Sequence, residues 1–245
     1  MPWTNGIKRI YPLAMSVPDL VKVSARELGS AGFTPENTLF ANATCRDEVN
    51  TPAIQCFSSY WGENFNLSGL AGYPTAGLTG FAAYNSHVPE GGNLFIVYGP
   101  HIGVSDDETF GRVRRRGMAN DSTCCGALIS FLGKIQNSRN YFVMRDPLDA
   151  DMNILEEALL PGASRVLDSK DPLHEVTELA LEVIDKQFRR IIKLSGYKGR
   201  VALLGGVVIN TPHPADDWFA PRRADILVDG KTTDDEHWLP ALRGM

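Results

Sequence analysis

The sequence predicts a single-domain α/β fold in which a mostly parallel central sheet is flanked by helices. Two strongly apolar, β-prone runs, 94–98 and 201–209, are typical of buried strands in a parallel sheet. Segment 171–196 carries an apolar stripe at helical spacing. Because strands and helices alternate along the chain, right-handed crossovers between neighbouring parallel strands are expected.

The N-terminal part of the chain opens with a helix. Residues 16–29 begin with a serine N-cap and an early proline and end at a glycine. A short buried strand is predicted at 38–43, and a second helix begins near Thr51, which is also followed by proline. Segment 69–84 is rich in glycine but lacks the spacings of nucleotide phosphate loops, so its glycines indicate close backbone packing.

The middle of the chain carries the buried strand 94–98, which ends at a Gly-Pro pair. Further along, Ser122 or Thr123 is predicted to cap a helix with several large apolar residues. This assignment places Cys124 and Cys125 in the first turn of that helix.

The C-terminal part contains the best helix in the sequence, 171–196, which opens with Asp-Pro and stops at a glycine. The strand 201–209 follows it, and 225–228 is predicted to be an edge strand. No repeat or linker composition divides the chain, and α/β architectures of 245 residues often form one domain. We therefore predict one domain over residues 1–245.

Composition excludes several classes of function. The net charge of -5 argues against nucleic acid or an anionic membrane surface as a partner, because both require a positive protein surface. The chain shows neither a secretory apolar region nor a stretch long enough to span a bilayer. Its four cysteines form no CxxC pair, which argues against a zinc ribbon and a thioredoxin-like redox motif.

Three potential metal ligands fall at the ends of predicted elements. Cys45 and His101 each follow a strand, and α/β sheets place their ligand sites beyond the carboxyl ends of strands. Cys125 lies at a helix N-terminus, where the helix dipole favours thiolate. Two cysteines and one histidine suit Zn²⁺, and three protein ligands leave the open position of a catalytic site. The alternative is that both cysteines are small buried apolar residues and His101 is a hydrogen-bonded loop residue.

Local sequences around these residues resemble a known family. Residues 45–48 are similar to the Cys-x-Asp opening of the beta-carbonic anhydrase site, 95–103 to its strand and ligand histidine, and Cys125-Gly126 to its final Cys-Gly. An insertion of about twenty residues between His101 and Cys125, together with segments 124–128 and 205–212, resembles the limiting-CO2-inducible B/C-type (theta-class) carbonic anhydrases. The resemblance spans roughly residues 15 to 215.

This resemblance implies a beta-carbonic-anhydrase-like fold and a bound Zn²⁺ held by Cys45, His101 and Cys125. It implies reversible hydration of CO2 to bicarbonate, with zinc-bound hydroxide as the nucleophile. It also implies a homodimer and an algal chloroplast setting in a CO2-concentrating mechanism. Cys124 is the competing choice for the third ligand, and only the Cys-Gly match favours Cys125.

The resemblance assigns Asp47 to orient the zinc-bound water, although the same residue could simply cap a helix. Beta-class sites pair this aspartate with an arginine two residues later, but Val49 stands there in this chain. Arg46 is the nearest substitute and is taken as the second catalytic candidate; the alternatives are four arginines further along, Arg112, Arg114, Arg115 and Arg116. Those four could line a bicarbonate route or form a solvated loop face. The displaced arginine keeps open a second hypothesis, a catalytically silent zinc-stabilised binding or regulatory subunit.

Overall fold

The computed structural model describes residues 2–238, so residues 1 and 239–245 of the predicted domain lie outside it. Its α-helices are α1 Pro2–Ile10, α2 Val17–Ser30, α3 Thr51–Trp61, α4 Gly77–Asn85, α5 Gly126–Asn137, α6 Ala150–Leu159, α7 Ala163–Leu167 and α8 Pro172–Ser195. Short 3-10 helices lie at Glu48–Asn50, Leu70–Gly72 and Leu160–Gly162. In the described part of the chain no helix is long and apolar enough to cross a membrane.

The strands are β1 Met15–Ser16, β2 Thr38–Thr44, β3 Phe65–Asn66, β4 Asn93–Gly99, β5 His101–Gly103, β6 Arg112–Val113, β7 Ser122–Thr123, β8 Arg200–Asn210, β9 Trp218–Val228 and β10 Lys231–His237. The central sheet has the order β1-β9-β8-β4-β2-β3, with β10 paired to β9 and β5 paired to β8. The neighbours β3, β2, β4 and β8 are parallel, and β9 joins β8 antiparallel. The predicted mostly parallel α/β sheet is confirmed.

Apolar side chains fill both faces of this sheet. On one face the stripe of α8, including Ile184 and Phe188, packs against Ile96 and Leu203. On the other face α2 and α3 cover β2, β4 and β8. Because both faces are buried, β4 and β8 are rich in apolar residues, as expected for parallel strands between helical layers.

Two element predictions are wrong. Ser122 and Thr123 do not cap α5; they form β7, which pairs with β6, and Cys125 itself occupies the N-cap position. Segment 225–228 is not an edge, because β9 bonds to β8 on one side and to β10 on the other. The two-residue strands β6 and β7 and the strand β10 carry no sequence signal strong enough to predict these pairings.

Candidate metal centre

The three predicted ligands come together where parallel strands end. Cys45 directly follows β2, His101 opens β5 after the Pro100 break, and Cys125 precedes α5. One donor atom from each residue lies within 4.8 Å of the other two. Their side chains are buried, at 3%, 0% and 2% exposure. The fold therefore assembles a compact, buried set of two thiols and one imidazole.

A tight backbone approach completes the wall beside Cys45. The 3-10 turn at 70–72 places the Ala71 N–H 3.2 Å from the Cys45 Sγ, to which it donates a hydrogen bond. Gly72 has φ of +84°, and a Cβ there would lie 2.8 Å from the carbonyl oxygen of Ala43. Only glycine allows this approach, so the predicted role of this glycine-rich segment in backbone packing is confirmed.

His101 has one satisfied and one unsatisfied ring nitrogen. Its Nδ1 lies 2.7 Å from Oδ1 of Asn210. Its Nε2 is buried and has no hydrogen-bond partner among the described residues. A buried polar atom without a partner costs roughly 1 to 3 kcal/mol unless something else satisfies it. A metal ion held with the two sulfurs would satisfy Nε2, so the residues present fit such an ion.

The pKa of the Cys45 thiol bears on metal binding. The hydrogen bond with Cys125, together with burial, raises the pKa of the Cys45 thiol well above its ordinary value. A thiol must lose its proton to bind metal, so binding here releases protons and depends on pH. Sulfur and imidazole donors in a buried set of three suit Zn²⁺ better than oxygen-seeking ions such as Mg²⁺.

Cys124 lies beside Nδ1 of His101, the ring nitrogen that also contacts Asn210. Its Sγ is 3.2 Å from Nδ1 of His101 and 3.3 Å from Oδ1 of Asn210. Asp47, His101 and Cys124 also form a second compact group of possible ligands. Because Nδ1 is already bonded to Asn210, the grouping of Cys45 and Cys125 with His101 fits a metal better.

Asp47 is held beside the donor set by a bidentate ion pair with Arg115. Nη1 of Arg115 lies 2.5 Å from one carboxylate oxygen and Nη2 lies 2.8 Å from the other. The same carboxylate accepts a bond from the Val49 N–H at 3.3 Å and approaches His101 Nε2 to 3.9 Å. Burial raises the pKa of Asp47, but the Arg115 guanidinium, the hydrogen bonds with Glu48 and the Val49 N–H and the charge of His101 together outweigh this, so the net pKa lies well below its usual range. Asp47 thus stays an anionic acceptor next to the donor set.

The expected pairing of Arg46 with Asp47 is wrong. The Arg46 guanidinium turns away, forming an ion pair with Asp151 at 3.1 Å and a bond to the Ser68 carbonyl at 3.4 Å. Arg46 lies at a bend just after β2, and its contacts with Asp151 and Ser68 hold it away from Asp47. Arg115, one of the four alternatives, supplies the partner from the loop between β6 and β7.

The arginine-rich loop borders a cavity of about 410 Å³. Its lining includes Arg114, Arg115, Arg116, Val49, His213 and Asp217. Since Arg115 also holds Asp47, this basic cavity adjoins the candidate centre. Arg114 and Arg116 are exposed to solvent, whereas Arg115 is half-buried.

Sequence reasoning missed Asn210, which ends β8 and contacts the imidazole. It also missed Asn50 and Asp217, which bond to Asn210. A polar Asn at the end of the apolar run 201–209 was the available signal, because strand ends at this sheet edge meet the site.

Comparisons with known proteins agree with this geometry. A family model described as limiting CO2-inducible proteins B/C beta carbonic anhydrases matches residues 14–228. The chain is similar to the crystal structure of PtLCIB4, a homologue of the limiting CO2-inducible protein LCIB, with 32% identity, a TM-score of 0.89 and coverage of 96% of this chain and 99% of that one. It is also similar to the crystal structure of LCIB, with 26% identity, a TM-score of 0.73 and coverage of 92% and 95%. No curated protein matches the sequence.

Proposed function

The chain belongs to the limiting CO2-inducible B/C family of beta carbonic anhydrases, and from this premise we propose that it binds one Zn²⁺ and hydrates CO2 reversibly to bicarbonate. One observation carries the proposal: a ring nitrogen of His101 lies within 4.8 Å of the sulfurs of Cys45 and Cys125, and its buried Nε2 has no hydrogen-bond partner among the described residues. A metal ion held with the two sulfurs would satisfy that nitrogen.

In this proposal Cys45, His101 and Cys125 would hold the ion. When bound, zinc supplies a water molecule acidic enough to yield hydroxide near neutral pH. The three residues also exclude bulk water, because all of them are buried.

Asp47 and Arg115 supply the orienting part of the site. When it is ionised, the Asp47 carboxylate accepts hydrogen bonds and donates none. It therefore fixes the direction in which a neighbouring nucleophile points its proton and its lone pair. Arg115 holds that carboxylate in place through two bonds. The silent-subunit hypothesis depended on the missing arginine at position 49, and Arg115 now supplies that pairing, which supports the enzyme hypothesis.

The proposal includes a homodimer and an algal chloroplast setting, which rest on the family resemblance alone. Two-fold pairing is the commonest form of oligomer. CO2 and bicarbonate would reach the centre from the side of the basic cavity, because Arg115 belongs to both.

The experiment is a stopped-flow CO2 hydration assay on purified protein before chelation, after chelation and after addition of one equivalent of zinc. We expect loss of activity on chelation and recovery with zinc. A protein that holds one zinc per chain yet gives only the uncatalysed rate would contradict the proposed enzyme and favour the silent subunit.

A further inference from the structure

We propose that Asn210 is a positioning residue that fixes the tautomer of His101, and that Asn50 and Asp217 fix Asn210 in turn. This inference rests on the proposed function, since it concerns how the imidazole is prepared to bind zinc. Asn210, Asn50 and Asp217 belong neither to the predicted ligand set nor to the Asp47–Arg115 pair.

The side-chain amide of Asn210 can adopt only one orientation. Its Nδ2 lies 3.3 Å from the Val49 carbonyl, 3.2 Å from Oδ1 of Asn50 and 3.3 Å from Oδ2 of Asp217. All three neighbours are acceptors, so rotating the amide would put its oxygen against three oxygens. The Oδ1 of Asn210 therefore faces His101.

The side-chain amide of Asn50 is also held in one orientation. Its Nδ2 donates to the Cys45 carbonyl at 3.1 Å and lies 3.4 Å from the Asp47 carbonyl. With its nitrogen held by two carbonyl groups, its Oδ1 must point to Asn210. A continuous chain of hydrogen bonds thus runs from the backbone of one predicted ligand, Cys45, through two buried amides to the ring of another, His101.

The consequence for His101 is a defined tautomer. An acceptor oxygen 2.7 Å from Nδ1 requires that Nδ1 carry the proton in the neutral ring. The lone pair is then on Nε2, the buried nitrogen without a partner. Ligand histidines usually donate their second N–H to an oriented acceptor, and removal of such an acceptor costs about 10 to 100-fold in metal affinity.

Asp217 anchors the far end of the chain. One of its oxygens accepts from Asn210 and the other accepts from the Thr211 N–H at 3.0 Å. Both carboxylate oxygens are therefore used. An amide at position 217 would offer one oxygen where two are needed, so it would loosen the orientation of Asn210 without touching His101.

The test compares zinc affinities by competition with a chromophoric chelator. We expect Asn210→Leu, which keeps nearly the same volume but removes the acceptor, to bind zinc about 10 to 100-fold more weakly. The control is Cys56→Ala, in α3 and outside the donor set, which should retain wild-type affinity.

A second readout reports the tautomer directly. ¹⁵N NMR of the zinc-loaded wild type should show a His101 ring N–H at Nδ1 in slow exchange, and Asn210→Leu should lose that protection. If Asn210→Leu does not fold, Asp217→Asn decides the matter, with weaker zinc binding expected. Unchanged affinity and an unchanged ring signal in the folded variant would overturn the inference, as would a wild type that binds no zinc. A zinc-binding protein without CO2 hydration would defeat the proposed function while leaving the role of Asn210 intact.

Discussion

Replacing Arg115 with methionine should destabilise the protein far more than the same change at its neighbour Arg116. Methionine keeps the length of the side chain but removes its charge and its donors. Arg115 makes two bonds to Asp47, and both side chains are mostly buried, at 17% and 16% exposure. Arg116 is exposed and serves as the matched control.

The magnitude follows from these contacts. A hydrogen bond to a charged group contributes roughly 1.5 to 3 kcal/mol, and the lower value applies here because the pair keeps some contact with solvent. The contact with Glu48 adds almost nothing, since that carboxylate is 76% exposed. We therefore expect Arg115→Met to lower the free energy of unfolding by about 3 kcal/mol, and Arg116→Met by at most about 0.5 kcal/mol.

The assay is equilibrium unfolding in urea at a fixed zinc concentration. Arg115→Lys should recover only part of the loss, because an ammonium group cannot bond both carboxylate oxygens as a guanidinium does. Equal stabilities for Arg115→Met and Arg116→Met would refute the reasoning that the Asp47 pair is an integral part of the fold.

Three further predictions concern metal, assembly and pH. Cys45→Ser should lose most of its zinc by metal analysis, whereas Cys56→Ser, in α3 and outside the donor set, should keep it. Light scattering should give twice the 26.9 kDa mass of one chain, and a monomer at micromolar concentration would contradict the dimer. Burial raises the pKa of Asp217 from 3.8 to about 6, which favours the protonated folded state. As pH rises from about 4 to about 6, the free energy of unfolding of the wild type should therefore fall by up to about 3 kcal/mol relative to that of Asp217→Asn. The same pH dependence of stability in both proteins would contradict this.

The sequence was sufficient to predict the parallel sheet, because that prediction depends on local signals. Apolar runs mark β4 and β8, and parallel strands bring their carboxyl ends to one edge, where Cys45 and His101 lie. The eleven residues of β9 were harder to predict, since Pro221 and two arginines interrupt an otherwise apolar run.

The partners of the ligands could not be predicted in this way. Arg115 is 68 residues from Asp47 in sequence, and four arginines close together in one loop give no local reason to choose among them. Asn210 is 109 residues from His101. Such contacts depend on how loops from different crossovers pack together. Hydrophobic periodicity and capping motifs carry no information about that packing.

The most direct test of the central claim is CO2 hydration by Asp47→Asn at full zinc occupancy, measured beside the wild type. Asparagine keeps the helix cap but loses the ion pair with Arg115, so the assay compares folded preparations that hold one zinc per chain. If the carboxylate orients the nucleophile, hydration should fall by about 10² to 10⁴-fold while zinc content and mass stay unchanged. Full activity with full zinc would contradict the account, because Asp47 would then be only a helix cap.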